Sequence, residues 1–127
     1  MSSHVHLIIS TETGNLSSIV SDIKRHTSKT ILKAIEDNPQ ESRKDWMLWL
    51  FERAGKYNSN NEHYQFWQQN NHPIQLSTQL MINQRLDYLH NNPVEAGIVE
   101  KPEDHLYSSA KDYYTKEKGL IPVILLS

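Results

Sequence analysis

Residues 1–10 read MSSHVHLIIS, and the predicted fold depends on this stretch. His4 and His6 flank one valine and lead directly into an apolar run at 7–9. Because alternate side chains of a β-strand point to opposite faces, both imidazoles would lie on one face of a strand at 4–10. The apolar run is typical of a strand buried in a sheet.

The two histidines form a candidate site. Imidazoles about 7 Å apart along a strand can chelate a divalent ion or position a phosphate between them. The pair is also compatible with two exposed histidines near a frayed amino terminus. The spacing by itself leaves both interpretations open.

Composition limits the classes of protein to consider. A chain of 127 residues corresponds to a single domain, 1–127, with one core. The net charge of -2 is no global nucleic-acid signature, and the absence of cysteine excludes disulfides and thiolate metal sites. With no apolar run of membrane-spanning length and no signal peptide, we expect a cytoplasmic protein without a membrane partner.

Helical periodicity dominates the rest of the chain. One helix is predicted from a cap at Asn15 or Ser17 to Asn38-Pro39, a second after Ser42 up to Gly55, and a third from about Thr78 to Asn91, stopped by Pro93. Short strand-like runs occur at 64–68 and 121–127.

A local basic patch stands out against the acidic net charge. Lys24, Arg25 and Lys29 lie on the first predicted helix, mostly opposite its apolar positions, and Trp67 offers an aromatic ring further along the chain. These residues are candidates for DNA contacts. A solvated helix face is the alternative.

Four motifs in a fixed order carry a family resemblance. They are HVHLIIS at 4–10, FWQ at 66–68, YLHNNPVEAGIV at 88–99 and KPEDHLYSSA at 101–110. The chain resembles the REP-associated tyrosine transposases, which belong to the HUH single-strand (insertion-sequence-200-like) transposase superfamily. Any single motif is weak, whereas the four in this order are specific and span nearly the whole chain.

The resemblance implies a metal-dependent enzyme that nicks and transfers single-stranded DNA at hairpin ends. It implies that His4 and His6 hold Mg²⁺ or Mn²⁺ and that Tyr88 is the nucleophile, forming a 5′-phosphotyrosine and freeing a 3′-OH. It also implies an α+β, ferredoxin-like fold with a small antiparallel sheet and several helices.

The chemistry of the residues agrees with these roles. A phenol with a pKa near 10 is a poor nucleophile at neutral pH and needs activation. Asn92 lies four residues after Tyr88, one helical turn along the same face, where its amide oxygen could complete the metal shell. Asn92 could instead cap the helix before Pro93, and Tyr88 could instead be a core tyrosine. His90 points elsewhere on the helix, as a surface residue or a phosphate contact.

The resemblance also predicts an incomplete domain. In the family, the histidine strand follows a strand, a helix and another strand, whereas this chain begins at the entry turn, residues 1–3. We therefore expect an amino-terminally incomplete copy that lacks the first strand-helix-strand. Its open strand edges favour pairing with a second copy, so a homodimer is among the expected partners.

Three functions remain after these observations. The first is the transposase chemistry with Tyr88 as nucleophile. The second is a catalytically inactive remnant that only binds DNA hairpins through Lys24, Arg25, Lys29 and Trp67. The third is a metal phosphoesterase that uses water, which the Asn-Pro-Val-x-Ala-Gly context disfavours.

Overall fold

A computed structural model describes residues 4–59 and 63–126. Its elements are four α-helices, α1 (Leu16–Asp37), α2 (Lys44–Lys56), α3 (Gln79–Glu95) and α4 (Ala110–Tyr114), with a short 3₁₀ helix at Pro102–Asp104 before α4. They form two compact units. The central unit spans Ile9–Pro73, and the terminal unit combines Met1–Ile8 with Ile74–Ser127.

The predicted α+β class is wrong, because the described residues contain no β-strand and no sheet. Segments 4–10, 64–68 and 121–126 were each expected to be strand-like, and none is regular. A strand requires a neighbour that pairs with its backbone N–H and C=O groups, and the described part of the chain supplies none. The argument for a homodimer from open strand edges therefore does not apply to these segments, and the predicted entry turn at 1–3 lies outside the described residues.

The central unit is built from α1, α2 and the segment after α2, residues 63–73. The Asn15 side chain caps α1 by accepting a hydrogen bond from the Ser18 N–H, which confirms one of the predicted helix starts. The segment after α2 bonds to helices instead of a strand, since the Gln65 N–H donates to the Phe51 carbonyl at 2.9 Å. This attachment explains why the alternation at 64–68 does not produce a strand.

Helix α3 begins at the Thr78 cap and does not stop at Pro93. Pro93 lies within the last turn, where a missing N–H costs the helix a single hydrogen bond. The helix ends in a Schellman motif: the Gly97 N–H donates to the Val94 carbonyl and the Ile98 N–H to the Pro93 carbonyl, both at 2.9 Å. Gly97 has the positive φ of 68° that this ending requires. The prediction that Pro93 ends the helix is therefore wrong.

The terminal unit packs α3 and α4 on the 3₁₀ helix between them. Ala110 at the start of α4 is fully buried, and so is His90 of α3. The tail returns to α4, where the Leu126 N–H donates to the Tyr113 hydroxyl at 2.8 Å. The His90 side chain links α3 to α4, because its ring nitrogens lie within hydrogen-bond distance of Ser109 and Tyr114.

No helix in the described part of the chain is both long enough and apolar enough to cross a membrane.

Candidate functional site

The segment that carries the two histidines lies beside α3 within the terminal unit. The rings of His4 and His6 are in edge-to-face contact, with centroids 5.6 Å apart and an interplanar angle of 69°. Both residues are exposed. The two imidazoles are thus adjacent although the segment is not a strand.

Tyr88 and Asn92 meet His6 from α3. The His6 and Tyr88 rings are 5.6 Å apart at 86°, and the Asn92 Nδ2 lies 3.3 Å from the His6 Nε2. Residues four apart on a helix share a face, so α3 presents the phenol and the amide to one imidazole. The structure brings together all four residues predicted for this site: His4, His6, Tyr88 and Asn92.

The helix positions of Tyr88 and Asn92 also decide between the alternatives. Tyr88 is 47% exposed, so it is not a core tyrosine, and its ring remains accessible. Asn92 is not a terminal cap, because α3 continues past it to Glu95. Its side chain is committed to His6 instead.

The electrostatics favour a neutral His6. Partial desolvation by the neighbouring groups, with a smaller contribution from the charge of His4, lowers the pKa of His6 below its ordinary value of 6.5. At neutral pH the imidazole is then uncharged, and its Nε2 lone pair accepts the Asn92 amide hydrogen when the proton sits on Nδ1. The same lone pair is the one that a metal ion would take.

The donors fit a small divalent cation. Two imidazoles and an amide oxygen, which the Asn92 side chain presents after a half-turn of its amide, form a mixed N/O set. The amide oxygen suits Mg²⁺ or Mn²⁺, whereas imidazole nitrogens are the ligands that later transition metals prefer. No group of three or more His, Asp or Glu side chains that could hold a metal occurs within 4–59 and 63–126. The candidate set therefore depends on Asn92 for its third donor.

Comparison with protein-family models, curated proteins and solved structures found no match.

The residues predicted to contact DNA all lie in the central unit. Lys24 is tied to the segment after α2, because its Nζ donates to the Gln68 carbonyl at 2.6 Å. Arg25 forms an ion pair with Asp22 one turn earlier, and both side chains are largely exposed. Lys29 is exposed on α1. Trp67 is half-buried, and its Nε1 donates to the Thr27 hydroxyl at 2.9 Å.

His90 is the residue that sequence reasoning placed wrongly. It is fully buried, with Nε2 3.0 Å from the Ser109 Oγ and Nδ1 3.3 Å from the Tyr114 Oη. Burial lowers its pKa, so a neutral ring is favoured. His90 links α3 to α4 two residues after Tyr88. Its burial is incompatible with both predicted roles, a surface position and a phosphate contact. The signal that could have indicated this role is its position one helical turn after Leu86, on the less exposed side of α3.

Proposed function

We propose that the chain is a metal-dependent, single-strand DNA transposase that nicks and transfers DNA with Tyr88 as nucleophile. One observation carries the proposal: His6 contacts both Tyr88 and Asn92, from a segment far away in sequence. Packing alone would not require two imidazoles, an amide and a half-exposed phenol to lie together. A single chain supplies all four side chains.

The proposed step is a transesterification. The Tyr88 oxygen bonds to the phosphorus of the scissile phosphate, and the bond from phosphorus to the 3′ oxygen breaks. The phenol loses its proton, the departing strand ends in a 3′-OH that carries one, and the other strand end remains on Tyr88 as a 5′-phosphotyrosine. The energy of the phosphodiester is kept for rejoining, so no nucleotide triphosphate is consumed.

His4, His6 and Asn92 are the residues that would hold Mg²⁺ or Mn²⁺. When bound, the ion supplies charge neutralisation at the phosphate and stabilises the leaving oxygen. Without an ion, the Asn92 amide contacts the His6 Nε2 and positions the ring, and this contact would give way when an ion takes the Nε2 lone pair. Helix α3 holds Tyr88 one turn from Asn92, on the same helix face. The proposed setting is the cytoplasm, with hairpin-forming single-stranded DNA as substrate.

A DNA-binding remnant without catalysis is the second candidate. The absence of any sheet among the described residues favours it, since the resembled enzymes carry their histidine pair on a sheet strand. In this case Lys24, Arg25, Lys29 and Trp67 would bind hairpin DNA, while Tyr88 would remain unmodified.

A covalent-adduct assay distinguishes the two. The protein is mixed with Mn²⁺ and a DNA hairpin labelled at its 3′ end, because the 5′-phosphotyrosine retains the downstream fragment and hence the label. We expect a denaturant-resistant shift that is lost in Tyr88→Phe and in His6→Ala. Tyr107→Phe is the matched control, since Tyr107 belongs to the same unit, is 80% exposed and lies outside the site.

Two results would overturn the enzyme proposal. An adduct that persists in Tyr88→Phe would place the nucleophile elsewhere. DNA binding without an adduct would support the remnant.

A further inference from the structure

The central unit contains a groove of about 510 Å³ between α1 and the segment after α2. This volume falls in the range of small-molecule sites, roughly 300–1,000 Å³. All of its lining residues lie within 17–71, so the groove belongs entirely to this unit.

Specific hydrogen bonds build the groove. Lys24 holds the Gln68 carbonyl from α1, and Thr27 of the same helix accepts the Trp67 indole N–H. The Thr27 hydroxyl in turn donates to the Ile23 carbonyl at 2.7 Å. Two long-range contacts from one helix thereby fix the segment that forms the opposite wall.

The lining has a polar and cationic side and an aromatic side. Ser21, Lys24, Arg25 and Ser28 come from one face of α1, and aromatic rings come from the segment 64–67. Among the described lining residues none is acidic. Asp22 pairs with Arg25 but lies outside the lining, so the ion pair offsets part of the positive charge.

We propose that this groove binds unpaired nucleotides of a DNA strand, a choice of ligand that rests on the proposed function. The ammonium, guanidinium and hydroxyl groups of α1 contact phosphate, and the rings of Tyr64 and Trp67 stack on bases. Tyr64 is 41% exposed, which leaves its ring available. Charge complementarity selects an anionic polymer, and the aromatic wall selects unpaired bases, because bases inside a duplex are already stacked on each other.

The first experiment measures binding of an unstructured, fluorescently labelled oligo-dT by anisotropy in the Tyr88→Phe background. Ser21→Glu places a carboxylate in the groove. Thr30→Glu is the matched control, because it lies half a turn round the same helix, is exposed and also has a lysine three residues later. We expect Ser21→Glu to weaken binding roughly tenfold at about 50 mM salt, the loss of about one phosphate contact. Thr30→Glu should bind like the parent.

The salt dependence gives a second test of the same wall. Arg25→Gln should reduce the slope of log affinity against log salt by about 0.7, the contribution of one phosphate contact to a single strand. An unchanged slope would contradict the proposal. So would equal effects of Ser21→Glu and Thr30→Glu, or a duplex of the same length binding more tightly than oligo-dT.

Fluorescence locates the strand. The chain has three tryptophans, so Trp46→Phe/Trp49→Phe leaves Trp67 as the single reporter. Oligo-dT should quench this emission in proportion to the anisotropy change. Binding without quenching would place the strand outside the groove and overturn the proposal.

The outcomes separate this inference from the proposed function. Groove-dependent binding without a covalent adduct would support the groove proposal and contradict the enzyme proposal. If a covalent adduct forms, and neither its yield nor the protein's affinity for DNA changes in Ser21→Glu, the enzyme proposal is supported and the groove proposal is contradicted. A circular dichroism spectrum and an unfolding midpoint equal to those of the parent confirm that each variant is folded.

Discussion

The Asn92 Nδ2 lies 3.3 Å from the His6 Nε2, although 86 positions separate the two residues in the chain. Within the terminal unit this contact joins the amino-terminal segment to α3. It also aligns an amide and an imidazole, both of which can coordinate a metal ion, beside the half-exposed ring of Tyr88.

This relationship predicts a Mn²⁺ site that depends on both residues. His6→Ala or Asn92→Leu should weaken Mn²⁺ binding by roughly 10–100-fold, the usual effect of disturbing a ligand or its supporting partner. Electron paramagnetic resonance of free Mn²⁺ measures the affinity. Asn91→Leu is the control, because the Asn91 side chain donates to the Asp87 carbonyl and not to His6. Equal losses for Asn91→Leu and Asn92→Leu would argue against the site.

The end of α3 predicts a specific glycine effect. Gly97→Ala should destabilise the chain by about 1 kcal/mol, because an L residue is strained at a φ of 68°. A methyl group there meets no atom within 4 Å, so steric overlap adds nothing. Urea unfolding gives the free energy. Gly97→Asn should cost less, since asparagine tolerates this conformation better; a cost as large as that of alanine would point to a cause other than the backbone.

Replacing Gly55 in α2 by alanine should destabilise the chain, although the same change inside a helix usually stabilises it. A glycine-to-alanine change inside a helix ordinarily stabilises by about 0.5–1 kcal/mol. Here the added Cβ would lie 2.5 Å from the His63 carbonyl oxygen and 3.0 Å from the Tyr64 Cα. We expect Gly55→Ala to destabilise by roughly 1–3 kcal/mol, because backbone must move.

The measurement is again urea unfolding. The exposed neighbour Ala54 supplies the reverse control, because Ala54→Gly should cost only the ordinary propensity difference of about 1 kcal/mol. A stabilising Gly55→Ala would show that the segment at 63–64 does not pack on α2.

His90 predicts a loss of stability in acid. Burial lowers its pKa in the folded chain below the ordinary 6.5, opposed by a smaller effect of the Asp87 carboxylate. The unfolded chain therefore takes up a proton at a higher pH than the folded one. The stability that this difference represents is present above pH 6.5 and is lost as the pH falls through 6.5 towards the folded-state value.

The variant His90→Gln isolates this contribution. The free energy of unfolding of the parent should fall more than that of His90→Gln between neutral pH and about pH 5. Urea unfolding at both pH values measures the difference. Parallel losses in the two proteins would assign the acid sensitivity to other groups.

Helices were predictable from sequence because their signals are local. Asn15 caps α1, and Asn38 ends it, as the polar residues at those positions indicate. A stop at Pro93 makes the third predicted helix too short, whereas Gly97 is the residue whose positive φ ends it. Pro93 is recognisable in the sequence as a helix breaker, but the sequence does not show that it lies in the last turn, where the helix tolerates it.

The strand predictions are wrong because strand pairing, unlike helix formation, is not a local property. Alternation at 4–10 and 64–68 describes how side chains would point if the backbone were paired, and pairing depends on a neighbour that local sequence does not supply. In the structure Gln65 bonds to the Phe51 carbonyl of α2, and His6 lies against α3. Tertiary contacts therefore replaced the sheet that periodicity suggested.

The sequence by itself determined α1, α2 and most of α3, the one-turn spacing of Tyr88 and Asn92, and the identity of the candidate donors. These follow from local backbone preferences and from the helical repeat. Only the tertiary structure decided that His6 meets Asn92, that His90 is buried between α3 and α4, and that α1 and the segment after α2 enclose a groove. Each of these depends on contacts between residues far apart in sequence, whose free energy no local pattern encodes.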